Sequence, residues 1–229
     1  MIFLINLKVS IKKIFMKKFF FVAFCLLNFQ IFAQSITSDR RINNYSFEDN
    51  FDDNKNEWSK DSDKDSAVTA TIGNGLLKIT NKKSNGNWAY YNKNVHIDYS
   101  KDFEIQASFV IREVSKKYKT ALSIYWGYDD SLGSTWLSIS RRRITIKNCY
   151  GGDHKHDKIE HSKNNHPALK KGTSYKVTVL KRNDKYLVYL NSKLQVELFY
   201  SPLKGNELAL AAWENTEIEF YNLKAYNLE

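Results

Sequence analysis

The sequence predicts an all-β chain folded as a two-sheet antiparallel jelly-roll sandwich of about eleven or twelve strands. Three observations support this fold class. Apolar and polar residues alternate with a period of two along most of the chain after residue 45. Short turns, several of them led by asparagine, separate the alternating runs. No stretch carries a sustained apolar stripe at helical spacing.

The middle of the chain contains the clearest predicted strands. Residues 103–111 place apolar side chains at odd positions on one face, with Glu104 and Gln106 on the other. Residues 122–126 follow, with Leu122, Ile124 and Trp126 predicted to face the core. Further short strands are predicted at 135–139 and 144–146, on either side of the basic turn at 141–143.

The two ends of the domain show the same pattern. In the C-terminal half, strands are predicted at 175–179, 186–190, 194–198, 208–213 and 218–223. Asn183-Asp184 and Asn191-Ser192 are the turns between the first three of them. Near the N-terminus, Asn74-Gly75 is predicted to join strands at 67–72 and 76–79. The segment 151–171 is polar and is predicted to be the least ordered part.

The first 34 residues are predicted to be a secretory signal peptide. Lys17 and Lys18 precede an apolar run at 19–29, and the small residue Ala33 follows it. Met16 is an alternative start, because a typical signal begins there. We therefore expect a linker at 35–45, a jelly-roll domain at 46–229, no membrane anchor after cleavage, and secretion to the periplasm or the exterior.

Charge and cysteine content restrict the class of protein further. The formal net charge is +10, and removal of the five lysines before residue 35 lowers it to +5. A mildly basic exported domain is not expected to bind nucleic acid. Cys149 is the only cysteine left after cleavage, so it cannot form an intramolecular disulfide. We predict that it is a small buried hydrophobic residue.

Five segments of the chain share their pattern with a known family of domains. They are 47–58, 72–79, 102–105, 189–194, where Ser192 replaces the usual glycine, and 218–223. These segments resemble the concanavalin A-like lectin/glucanase domains of secreted bacterial proteins, including their laminin G-like and 3-keto-disaccharide hydrolase relatives. The resemblance spans about residues 46–226 and implies a two-sheet jelly roll. Such folds carry lectins, glycosidases, lyases and spacers, so the resemblance does not define a function.

No complete catalytic motif is present. Laminarinase-type enzymes of this superfamily carry three spaced acids on one strand, and Glu217 with Glu219 is the nearest pattern here. A third acid is missing, so we interpret the pair as solvated carboxylates on an outer face. A retaining glycosidase needs two carboxylates about 5 Å apart. A glycan-processing enzyme whose acids come from loops therefore remains an alternative.

Two segments contain potential metal ligands, although no cofactor is required by the predicted fold. Asp49, Asp52 and Asn54 offer oxygen ligands of the kind calcium prefers, and a structural calcium is one hypothesis. The alternative is a solvated loop whose Asp and Asn side chains make turns. His154 and His156 lie close to Cys149 in sequence and form a weaker transition-metal hypothesis.

Aromatic residues provide the main functional hypothesis. Trp58 and Trp126 are predicted to lie in the core. Trp136 and Trp213 point opposite to the apolar residues of their strands. We predict that these two share one concave sheet face with three further residues, namely Tyr125, Gln106 and Arg112.

Flat rings beside amide and guanidinium groups suit a sugar, so the leading hypothesis is a secreted noncatalytic lectin-like module that binds a glycan. The alternatives are a glycan-processing enzyme and a protein-interaction or structural module. The predicted face is also compatible with a second small core covered by a loop. The basic turn at 141–143 suits either an acidic polysaccharide or a solvated hairpin end.

Overall fold

The computed structural model describes residues 41–60, 67–84, 89–115, 120–129, 133–150, 158–164, 169–202 and 205–228. In these segments the regular elements are fifteen strands, arranged in two antiparallel sheets. The predicted fold class, a two-sheet jelly-roll sandwich, is confirmed. None of the described segments forms a helix that is long and apolar enough to cross a membrane.

The eight-stranded sheet has the order β13-β12-β11-β6-β15-β4-β3, and β1 also pairs with β15. Its strands are β1 (Arg41–Asp49), β3 (Val68–Gly73), β4 (Leu76–Asn81), β6 (Phe103–Glu113), β11 (Ser174–Arg182), β12 (Lys185–Leu190), β13 (Lys193–Phe199) and β15 (Thr216–Leu228).

The seven-stranded sheet has the order β10-β9-β8-β7-β14-β5-β2. Its strands are β2 (Ser59–Lys60), β5 (Ala89–Asn94), β7 (Thr120–Asp129), β8 (Gly133–Ser140), β9 (Arg143–Cys149), β10 (Lys158–Asn164) and β14 (Glu207–Ala212). Consecutive strands such as β6 and β7 therefore lie in opposite sheets.

The core lies between the two sheets and is formed by the inward set of each alternating strand. Phe103 and Ile105 of β6 are buried, as are Ile124 and Trp126 of β7. The Trp126 indole N–H donates to the hydroxyl of Tyr186 on β12, with 3.3 Å between the nitrogen and the oxygen. This bond satisfies two buried polar groups and links the sheets across the core. Burial raises the pKa of Tyr186, so its hydroxyl stays protonated.

Two of the three predicted asparagine-led turns have two successive positive φ angles, whereas at Asn183-Asp184 only Asn183 has one, of 53°. Asn74 and Gly75 have φ angles of 53° and 78°. Asn191 and Ser192 have φ angles of 48° and 62°. Two successive positive φ angles define the mirror-image turn that suits a right-twisted hairpin. Ser192 occupies a position that favours glycine, because its Cβ is crowded in the left-handed region.

The strand boundaries differ from the predictions at the polar edges. β1 begins at Arg41, within the predicted linker, and pairs with β15 from Arg41↔Leu228 to Asp49↔Leu223. β10 lies within the polar segment 151–171 and pairs with β9. The short β2 and β5 add two more strands to the expected eleven or twelve. These strands form through backbone hydrogen bonds to a neighbour and need no apolar alternation of their own.

Candidate functional site

Three aromatic side chains lie together on the outer face of the seven-stranded sheet, and we call Tyr125, Trp136 and Trp213 the aromatic cluster. Tyr125 points outward because Ile124 and Trp126, its neighbours on β7, point into the core. It pairs directly with Trp136 on β8. Trp213 follows the end of β14, the other neighbour of β7. The structure thus brings together three of the five predicted site residues.

The rings of the aromatic cluster form a continuous row. The ring centroids of Tyr125 and Trp136 are 5.1 Å apart at an interplanar angle of 37°. Those of Trp136 and Trp213 are 5.6 Å apart at 34°. Tyr125 is only 4% exposed, whereas both tryptophans are half-buried. The tyrosine therefore supports the two indoles, which keep accessible surface.

Polar contacts orient the two indoles. The Trp213 indole N–H donates to the Ser123 hydroxyl across 2.8 Å. The Lys147 ammonium nitrogen lies 5.2 Å from the ring centroid of Trp136, a cation–π distance. The indole nitrogen of Trp136 is buried and has no hydrogen-bond partner within the described segments. A buried N–H without a partner is costly, and its position below the surface keeps it out of reach of a ligand that contacts the exposed part of the ring.

Small side chains surround the aromatic cluster on the same face. Ala209 and Ala211 of β14 pair with Tyr125 and Ser123 of β7, and Ser138 of β8 also pairs with Ser123. None of these small residues reaches as far from the sheet as an indole. Ser123, Ala209 and Ala211 are nevertheless buried, so this part of the face is covered and forms a second small core, as one of the alternatives from the sequence expected. The two half-buried indoles keep accessible surface at this core.

Gln106 does not belong to this face, and the prediction that places it there is wrong. It lies on β6, which pairs with β11 and β15 in the eight-stranded sheet. Its side-chain amide hydrogen-bonds to Glu104 and donates to the Tyr226 hydroxyl, with 3.2 Å between the heavy atoms. Alternation shows that a residue points outward but not to which sheet its strand belongs.

Arg112 is separated from the aromatic cluster for the same reason, since it also lies on β6. Its guanidinium binds the Glu219 carboxylate of β15, with nitrogen–oxygen distances of 2.7 and 2.8 Å. It also donates to the Tyr221 hydroxyl across 3.1 Å. The prediction that Arg112 shares the aromatic face is therefore wrong, and its charge is neutralised by Glu219.

The two acids nearest to a glycosidase pattern are held as ion pairs. Hydrogen bonding from Arg112 lowers the pKa of Glu219, so this carboxyl stays ionised at acidic pH. Glu217 lies 2.8 Å from the Lys78 ammonium. A glycosidase general acid requires the opposite, a carboxyl whose pKa is raised. The two acids are therefore ion-paired and Glu219 is buried, so the interpretation of the pair as solvated carboxylates is wrong for Glu219.

The segment with the predicted calcium ligands is stabilised by its own hydrogen bonds. The buried Asp49 carboxylate accepts from the Phe51 amide and from the Trp58 indole N–H, each across 2.7 Å. The Asn54 side-chain oxygen accepts from the Trp58 amide across 3.0 Å. Asp52 is exposed to solvent. Asp49 and Asn54 thus serve the turn, and calcium binding stays a prediction.

Other predicted features have mixed outcomes. His154 and His156 lie outside the described residues. Within the described part of the chain, no three His, Cys, Asp or Glu side chains are grouped so that they could hold a metal ion. Cys149 is buried, and Trp58 and Trp126 lie in the core, as predicted.

Two neighbours of the aromatic cluster were not predicted from the sequence. Lys147 lies opposite Trp136 in the β8–β9 register, and Tyr128 packs edge-on against Tyr125 with 6.3 Å between ring centroids. Lys147 follows the outward alternation of β9, whereas Tyr128 reaches the outer face because a register shift interrupts the alternation of β7 after Trp126. Only the pairing register shows which outward residues become neighbours, and the sequence alone does not define that register.

Comparisons with known proteins establish the fold. No family model matches the sequence, and the comparison with curated proteins finds no match. The structure is similar to the metal-free carbohydrate recognition domain of Emp46p, with a TM-score of 0.62 and 10% identity over 82% of this chain and 98% of that one.

Two Bacillus subtilis structures are also similar. A protein of unknown function with a galectin-like fold has a TM-score of 0.61 and 8% identity, over 83% of this chain and 98% of that one. The carbohydrate binding module CBM66 has a TM-score of 0.52 and 14% identity, over 73% of this chain and 94% of that one. Identities this low establish architecture alone. The chain has the two-sheet jelly-roll fold of the concanavalin A-like lectins, as its sequence motifs indicated.

Proposed function

We propose that this protein is a secreted, noncatalytic carbohydrate-binding module that contacts a glycan through the aromatic cluster. The observation that carries the proposal is the row of Tyr125, Trp136 and Trp213 on an outer sheet face. The ring centroids are 5.1 Å apart for Tyr125 and Trp136 and 5.6 Å apart for Trp136 and Trp213, and both indoles are half-buried. Pyranose rings pack their C–H faces on such rings, and sites of this type combine apolar walls with a few placed polar groups.

The polar groups around the aromatic cluster support a sugar rather than a purely apolar ligand. The Lys147 ammonium nitrogen lies 5.2 Å from the ring centroid of Trp136. Sugar hydroxyls accept hydrogen bonds, so they match an ammonium group beside an aromatic ring. The proposal is also supported by two structural neighbours that are named a carbohydrate binding module and a carbohydrate recognition domain.

The noncatalytic part of the proposal is supported by the state of the acidic pair. Glu217 and Glu219 are bound to Lys78 and Arg112, and no described carboxylate lies on the face of the aromatic cluster in residues 120–126 or 133–140. The secreted location is supported by the predicted signal peptide at residues 1–34.

The test is a glycan and polysaccharide binding screen of the chain from Ser35, followed by affinity measurement for each hit. Trp136→Ala removes the central ring, and we expect a loss of affinity of about tenfold or more, which corresponds to ~1.4 kcal/mol. Trp213→Ala removes a peripheral ring and should weaken binding less. Phe199→Ala is the matched control, because it removes a 74% exposed aromatic ring from the other sheet.

Circular dichroism and urea unfolding establish that each variant is folded before its affinity is compared. Binding that falls in both tryptophan variants and persists in Phe199→Ala would support the proposal. A complete screen without any binding, or equal binding by all three variants, would refute it and favour a protein-interaction module.

A further inference from the structure

We propose that the glycan ligand is acidic and that a basic pocket beside the aromatic cluster binds its carboxylate or sulfate groups. This inference rests on the proposed function and names the class of glycan. It is carried by two observations: a pocket with a cationic rim, and the short distance along the sheet from this rim to the aromatic cluster.

The pocket lies at one end of the sandwich, between the end of β6 and the start of β7. Its volume is about 250 Å³. Its walls are apolar and come from Ile111, Val114, Ala121 and Leu169. Its remaining lining residues are all cationic: Arg141, Lys170 and Lys171. Apolar walls with charged groups at the rim suit an anionic group attached to a carbon skeleton, such as the edge of a charged sugar.

The rim keeps uncompensated positive charge. Lys171 pairs with Glu113, with 2.6 Å between nitrogen and oxygen. Arg141 and Lys170 are exposed and form no ion pair with any described residue. The Leu169 amide donates to the Arg141 carbonyl across 3.0 Å and so holds the two basic segments side by side. A guanidinium and an ammonium held together can bind one carboxylate or sulfate from two sides.

The pocket and the aromatic cluster are adjacent. Ala121 lines the pocket, and its carbonyl accepts a hydrogen bond from the Trp213 amide across 3.1 Å. The pairing Thr120↔Ser140 places the end of β8, and with it Arg141, beside the start of β7. Neighbouring strands are about 4.8 Å apart, so Trp213 and Arg141 are separated by roughly two strand spacings. One short oligosaccharide can therefore contact both.

The experiment compares polysaccharides that differ only or mainly in charge. Polygalacturonate is paired with its fully methyl-esterified form, alginate with its propylene glycol ester, and carboxymethylcellulose with hydroxyethylcellulose. We expect the acidic member of at least one pair to bind at least tenfold more tightly than its neutral partner. The difference should decrease as salt is added, because exposed charges are screened.

Variants locate the charge dependence. Arg141→Gln/Lys170→Gln should lower the affinity for the acidic member about tenfold and leave the affinity for the neutral member unchanged. Lys185→Gln/Lys224→Gln removes the same total charge from the other sheet and is the matched control. Trp136→Ala should weaken both members of the pair, since the ring contacts the sugar skeleton.

The outcomes separate this inference from the proposed function. If no polysaccharide binds, both are refuted. If acidic and neutral members bind equally and Trp136→Ala abolishes both interactions, the proposed function stands and the acidic specificity is refuted. Equal losses in the two double variants would refute the pocket, because only net charge would then matter. A thymidine oligonucleotide that binds as tightly as the best polysaccharide would also refute the inference.

Discussion

Asp49 offers a direct test of how the segment that leads into the domain is held. Its carboxylate is 3% exposed and accepts two hydrogen bonds of 2.7 Å, from the Phe51 amide and the Trp58 indole N–H. Phe51 has a positive φ of 59°, a conformation that the bond to Asp49 helps to hold. Asp49→Ala leaves both donors without this acceptor in a buried environment.

The expected loss of stability follows from these contacts. A hydrogen bond to a charged acceptor contributes about 1.5–3 kcal/mol, and a buried donor left unsatisfied costs a similar amount. Two such donors give a loss of about 3–5 kcal/mol for Asp49→Ala, which is a large part of the total of about 5–15 kcal/mol for a typical domain. Asp49→Asn keeps the shape and one acceptor oxygen, so its loss should be smaller.

The assay is urea unfolding followed by Trp fluorescence, with calcium and with chelator. If the carboxylate acts on Phe51 and Trp58, the loss in Asp49→Ala is the same in both conditions. If Asp49 is instead a calcium ligand, the unmutated protein loses stability in chelator and the variant then matches it. A loss seen only with calcium, or no loss at all, would therefore refute the hydrogen-bond argument.

Two further predictions concern the hairpins and the pH dependence of stability. Ser192→Gly should stabilise the protein by about 0.5–1 kcal/mol, because glycine relieves the crowded left-handed conformation at a φ of 62°. Urea unfolding measures this, and Ser192→Ala is the control that should show no gain. The lowered pKa of Glu219 means that the folded state binds this proton less readily than the unfolded chain does. Its contribution is therefore present above the ordinary value of 4.5 and is lost as the pH falls through the lower folded value. In Glu219→Gln the free energy of unfolding should therefore depend less on pH below 4.5. An unchanged pH dependence in this range would contradict the role of the Arg112 contact.

The fold is predictable from the sequence because one face of nearly every strand is buried. Alternation alone distinguishes Trp126, which lies in the core, from its neighbour Tyr125, which points outward. The turns at Asn74-Gly75 and Asn191-Ser192 are equally local, since their residue types match the positive φ angles. These signals extend over a few residues and need no knowledge of distant partners.

The candidate site is only partly predictable because it depends on strand pairing. Gln106 and Tyr125 are both outward residues of strands that are consecutive in sequence. However, β6 pairs with β11 and β15, whereas β7 pairs with β8 and β14. The chain passes from one sheet to the other after residue 113. The alternation of apolar and polar residues does not indicate this change of sheet. Lys147 was missed for a related reason, since its contact with Trp136 requires the β8–β9 register.

The position of β15 has a consequence for the order in which the molecule is assembled. This strand follows all the other described strands, yet it pairs with β6, β4 and β1 inside the eight-stranded sheet. Without it, β4 and β3 lose their connection to β6, and β1 has no partner in the described sheet. A growing polypeptide therefore cannot close this sheet until residues 216–228 have left the ribosome. Until then, the strands made first have no link to β6 in the finished order of the sheet.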